Sequence, residues 1–108
     1  MAKYLIQGSY SADGVRGLLK EGGVSRRSHF RQLIEKLGGT LEAFYYAFGS
    51  EDVYTIVDLP DNVDSLAVSM AVTAGGSFSA GVVVLLTPEQ VDQATKKAAT
   101  LGYRAPGQ

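Results

Sequence analysis

The fold class this sequence predicts is α+β: one four-stranded antiparallel sheet with helices on one face. Three observations predict it. Hydrophobic periods of strand and helix type alternate along the chain. Two aromatic-rich strand segments are separated by a turn short enough to force a hairpin. Gly-Gly pairs punctuate the ends of the helical segments. The length of 108 residues suits one domain with a core and is too short for two.

Residues 3–10 alternate, with Tyr4, Ile6, Gly8 and Tyr10 on one side and Leu5, Gln7 and Ser9 on the other, which is the period of a strand. Ser11 offers an N-cap to a short helical face of Val15, Leu18 and Leu19, which Gly22-Gly23 should stop. A second helical piece carries Phe30, Leu33, Ile34 and Leu37 at the spacing of a core-facing stripe and ends at Gly38-Gly39. The first helical region is therefore expected to be broken or kinked near residues 22–24.

Residues 40–49 and 52–59 read as two strands of a hairpin, dense in aromatic and β-branched side chains, with the turn Gly49-Ser50-Glu51-Asp52 between them. Pro60-Asp61-Asn62 starts a helix whose apolar stripe is Val63, Leu66, Ala67, Met70, Ala71 and Ala74, closed by Gly75-Gly76. Residues 78–86 form a fourth strand, and the run Val82-Val83-Val84-Leu85-Leu86 predicts burial on both of its faces. Thr87-Pro88-Glu89-Gln90 carries an N-cap, a proline at the first helical position and the glutamine of a capping box. That last helix is expected to reach about Leu101, with Gly102 at its end.

The order strand, helix, strand, strand, helix, strand, then an extra C-terminal helix is the ferredoxin-like βαββαβ arrangement. Residues 1–102 are read as a single domain and residues 103–108 as a tail. In such a fold one sheet face packs on helices and the other is open, yet these strands have no polar face to give to water. Leu41, Ala43, Tyr45 and Ala47 alternate with Glu42, Phe44, Tyr46 and Phe48, and Val53, Thr55, Val57 and Leu59 with Tyr54, Ile56 and Asp58. Exposed patches of that kind mark interfaces or ligand grooves, so two sheets are expected to pack face to face in a homodimer. The alternative is that the extra helix covers the open face within the same chain.

Ten Lys plus Arg against eleven Asp plus Glu give a net charge of −1, which supplies no general electrostatic attraction to nucleic acid or an anionic membrane. The absence of cysteine excludes disulfides, thiol nucleophiles and Cys-based zinc or iron–sulfur sites, and one histidine excludes a two-His metal site within a single chain. No metal or cofactor is expected. The glycine pairs lack the flanking pattern of a phosphate loop. Base stacking on the sheet, as in RNA-binding folds of this topology, lacks its basic-aromatic signature. The N-terminus reads without a signal peptide's apolar stretch, and no apolar run has the length of a membrane span, so a cytoplasmic location is expected.

His29, the one imidazole, falls about a quarter-turn off the Phe30 stripe, where it is either a general base at a cavity edge or an exposed flank residue. Arg26 falls on the same helical face as Phe30, Leu33 and Leu37. It could hold a carboxylate or phosphate there, or instead pair with a strand carboxylate such as Asp58 or Glu42 or snorkel to solvent. Tyr10, Tyr46 and Tyr54, with Tyr45, could supply hydroxyls to a ligand or serve as packing residues at an interface. A buried Glu42 or Asp58 could abstract a proton, although exposure at a sheet edge is the commoner outcome for such residues. Asp52 reads as a structural turn residue.

Several stretches resemble the GYD domain family over nearly the whole chain. They are Gly22-Gly23 with Ser25-Arg26-Arg27, Leu37-Gly38-Gly39, Ala43-Phe44-Tyr45-Tyr46-Ala47-Phe48-Gly49, Ile56-Val57-Asp58-Leu59-Pro60-Asp61-Asn62, Leu85-Leu86-Thr87-Pro88-Glu89, and Tyr103-Arg104 with Pro106-Gly107. In the turn that names the family this sequence keeps Gly49 and Asp52, with Glu51 where the tyrosine would sit. The resemblance implies similarity to the dimeric α+β barrel proteins and brings no established activity. The expected function is that of a homo-oligomer binding a small, partly apolar molecule between sheet and helices. Arg26 would anchor the ligand, with Tyr10, Tyr46 and Tyr54 in the walls. The rivals are a cofactor-independent oxygenase or isomerase of the barrel type, with His29 or a buried carboxylate as base, and a purely structural assembly.

Overall fold

Gly22, in a left-handed conformation (φ 87°), splits the first helical region in two. A computed structural model describes residues 1–108. The elements are β1 (Ala2–Tyr10), α1 (Ala12–Glu21), α2 (Gly23–Lys36), β2 (Thr40–Tyr46), β3 (Val53–Leu59), α3 (Asn62–Ala74), β4 (Phe78–Leu85) and α4 (Pro88–Ala98). The sheet is antiparallel throughout in the order β2-β3-β1-β4, so the fold is ferredoxin-like with an extra helix. No helix is long and apolar enough to cross a membrane.

Local signals formed as the sequence dictates. The Ser11 hydroxyl accepts from the Gly14 amide, the Asp61 carboxylate accepts from the Asp64 amide, and Thr87 and Gln90 complete a reciprocal capping box. The hairpin strands are shorter than expected, because β2 stops at Tyr46 and a loop runs to Asp52. There the Ala47 amide donates to the Asp52 carbonyl, while the Asp52 carboxylate accepts from the Tyr10 amide at 2.9 Å and ties the loop to β1.

The core lies between the sheet and α2 plus α3. Tyr4, Ile6, Val57 and Leu59 from the sheet pack with Ile34 from α2 and Val68 from α3, with Phe30, Leu33 and Leu37 beside them. The α2 stripe thus points inward as expected. The stripe of α3 does not: Ser65 and Val68 are buried, while Val63, Leu66 and Met70 face out, Met70 with 63% of its surface exposed. The inward side is the one with small hydroxyls, where the Ser69 hydroxyl donates to the Ala80 carbonyl and lets the helix lie close on β4. Val15 and Leu19 of α1 are likewise exposed, and Gly14 is the buried residue there, since a Cβ would come within 2.1 Å of the Ser77 carbonyl.

Strand β4 is not buried on both faces: Val83 is on the open face, and Val84, on the helix side, stays half exposed because β4 is an edge strand. The open face of the sheet carries Leu5, Ile56, Val83, Tyr54 and Tyr45, with Lys3 at one end between Glu42 and Asp58. These two carboxylates, Glu42 first, hold the Lys3 ammonium above the usual lysine range. Helix α4 does not cover this face. Every one of its residues is exposed, and it extends away from the body.

Candidate functional site

Where β1, β3 and β4 meet the start of α2, the small side of the core leaves a space. Gly8 on β1 has no side chain to fill it, and the Phe78 ring of β4 lies over that glycine instead. Phe78 meets Tyr10 edge to face with ring centres 4.9 Å apart, and Phe30 meets Phe44 the same way at 5.9 Å. Between these two aromatic pairs is a cavity of about 220 Å³. Ile6, Leu33, Val53, Val72 and Ala80 complete most of its apolar wall; Thr55, Ser77, Arg26 and Tyr10 are its polar members. Thr55 adds little hydrogen-bonding capacity to the wall, because its hydroxyl already donates to the Ile6 carbonyl at 2.9 Å.

A smaller hollow, about 100 Å³, adjoins the first and shares Tyr10, Arg26 and Ser77 with it. Glu21, from the last turn of α1, lines this outer hollow. Its carboxylate accepts from Arg26 Nη1 at 3.3 Å and from the Ser25 hydroxyl at 3.0 Å, and lies 2.7 Å from His29 Nδ1. The His29 contact, then Ser25, then the Arg26 charge keep the Glu21 carboxyl below the ordinary range for a glutamate. Arg26 is therefore poised at the mouth, balanced by one carboxylate, with half of its side chain open to water.

Of the residues singled out from sequence, the structure brings Arg26, Tyr10 and Tyr46 together. Tyr46 stands beside the cavity rather than in its lining, stacks edge to face on Phe44, and donates its hydroxyl to the Gly23 carbonyl at 3.1 Å. Tyr54 is on the opposite, open face of the sheet, as is Tyr45, its cross-strand partner. His29 lines neither hollow. Glu42 and Asp58 are also on the open face, held by Lys3, so neither pairs with Arg26. Sequence reasoning missed Glu21 as the partner of both Arg26 and His29, because the break at Gly22 turns α1 against α2 and defeats helical spacing. It also missed Phe78 and Thr55, which reach the cavity only through the register of β4 and β3 on β1.

Burial, and next the neighbouring Tyr46 hydroxyl, push the Tyr10 phenol up to about 12. At neutral pH it is a hydrogen-bond donor. A phenol that ionises later when folded than its unfolded value of about 10 leaves stability unaffected below that pH and lowers it as pH climbs toward 12. The melting temperature is expected to fall through that window, and to fall less steeply in Tyr10→Phe, with phenolate absorbance showing one late-ionising tyrosine more in the parent protein than in the variant. Equal slopes in the two proteins would show that Tyr10 is not the group held protonated.

A family model described as the GYD domain matches residues 4–95. Comparison with the curated proteins gives no match, and comparison with the solved structures gives none.

Proposed function

The chain belongs to the GYD domain family, and from that premise we propose that it binds a small, partly apolar molecule in the cavity between sheet and helices. The observation that carries the proposal is the cavity itself: aromatic and aliphatic on most of its wall, with the Arg26 guanidinium and the protonated Tyr10 hydroxyl at one end. That distribution matches how small-molecule sites are built, an apolar body with a few polar groups that fix orientation. The guanidinium can only donate and the phenol can donate as well, so an acceptor such as a carbonyl or carboxylate suits the ligand's polar end, and the volume suits one or two rings.

The enzymatic reading, a cofactor-independent oxygenase or isomerase, needs a base facing the substrate. His29 is outside the cavity, both sheet carboxylates are on the other face, and Glu21 in the adjoining hollow is held below the usual glutamate range by His29, Ser25 and Arg26, which makes it a weak base, so the geometry supports binding better than catalysis. The open sheet face, with Leu5, Ile56 and Val83 in a row across three strands, supports a homodimer of the α+β barrel type, formed sheet to sheet. A purely structural assembly protein would have its interior filled.

Titration with 2-naphthoate followed by amide NMR tests the binding reading. Shifts are expected at Ile6, Thr55, Ala80 and the first two turns of α2. Shifts confined to the open face, or none up to the probe's solubility limit, would overturn it.

A further inference from the structure

We infer that α4 is an exchange arm, seated antiparallel on the outward face of α3 in a second copy of this chain. The first support is area. The chain exposes 7367 Å², whereas a folded monomer of its mass exposes about 5,800 Å². The excess, about 1,600 Å² per chain, is twice the ~800 Å² that each partner gives to a standard interface. The radius of gyration, 17.5 Å against about 13 Å for a compact domain of this length, locates part of the excess in the projecting helix.

The second support is the match between two unsatisfied helices. Helix α3 is apolar on both sides, a pattern that belongs to helices covered on both sides. Helix α4 has one narrow stripe, Val91, Ala94 and Ala98, continued by Leu101 in the turn that follows. Its spacing of three, four and three residues is that of a helix–helix seam. Laid antiparallel, the two stripes fall into register: Val63 opposite Leu101, Leu66 opposite Ala98, Met70 opposite Ala94. The two larger side chains of α3 each meet an alanine. The same orientation opposes the helix dipoles.

Connectivity assigns the seat to another copy. Leu85 pairs with Lys3 and Leu59 with Ala2, so β4 ends, and α4 begins, at the same end of the sheet where α3 begins. An antiparallel α4 would have to start at the far end of α3, about 20 Å away along its thirteen residues. Leu86 and Thr87, the two linking residues, span at most about 7 Å. The arm therefore cannot take this orientation on its own α3. The seat is on the helical side of the molecule, so the arm contact and the sheet-to-sheet contact are compatible, and the inference is independent of what the cavity holds.

The chain has no cysteine, which makes cross-linking free of background. Leu66→Cys and Ala98→Cys, both at exposed positions, are co-expressed and mildly oxidised. The expected product is a disulfide-linked pair containing one chain of each variant, with neither variant linking to itself. Ala98→Cys linking to itself would show that α4 pairs with α4; an intrachain link in the double variant would place the arm on its own body; no link from chains with parental circular dichroism would remove the seat. Each of these overturns the inference. Met70→Glu supplies a second readout: the mass by sedimentation is expected to fall by at least half, and an unchanged mass counts against the seat.

Discussion

Gly8→Ala is expected to destabilise the protein by about 3 kcal/mol or more, the upper end of what overpacking a close contact costs. A Cβ at Gly8 would come within 2.0 Å of the Ser79 carbonyl and 2.5 Å of the Phe78 ring. The ring could rotate away, but the carbonyl is part of the β4 backbone hydrogen-bonded to β1, so relief requires the two strands to separate. At roughly 4 °C or more per kcal/mol for a domain of this size, the melting temperature drops by more than about 12 °C. Adding Phe78→Ala is not expected to rescue it, because the backbone contact remains. A Gly8→Ala protein that melts with the parent would show that β1 and β4 part here at little cost.

Arg26→Ala is expected to weaken binding of 2-naphthoate by about tenfold to a hundredfold, the worth of a hydrogen bond to a charged group. The loss should appear without a change in melting temperature, since the Arg26–Glu21 pair is half exposed and contributes little to stability. Glu21→Gln is the complementary change. It frees Arg26 and removes a negative charge from the mouth, so an anionic probe should bind more tightly, and a neutral analogue such as 2-naphthaldehyde should respond less. If Arg26→Ala leaves the affinity unaltered, the probe is held by the apolar wall alone and Arg26 is not the anchor.

Much of the fold was legible because it is written in short-range signals. Ser11, Asp61 and the Thr87–Gln90 box mark helix starts through hydrogen bonds spanning three residues, Gly22 marks a break through its own backbone conformation, and the Phe30–Leu37 stripe has one apolar side and so one way to face. The candidate site was legible only in part. Arg26 was found because it shares the face of Phe30 and Leu33, whose orientation the core imposes. Tyr10 and Tyr46 were found as tyrosines, but nothing in their spacing separates them from Tyr54, which the alternation of β3 sends to the opposite face.

The sequence by itself determined the order of elements, their caps, the inward face of α2 and the exclusion of cysteine and multi-histidine chemistry, since each depends on residues within a few positions of one another or on composition. Only the tertiary structure decided which side of α3 meets the sheet, because that helix carries apolar residues on both sides and the choice rests on how closely Ser65 and Ser69 let it approach. It also decided that Glu21 closes on Arg26 and His29 across a glycine break, and that Phe78 reaches over Gly8 to make a cavity wall. The contact of Phe78 with Gly8 joins strands one and four, and strand register, not residue type, sets it.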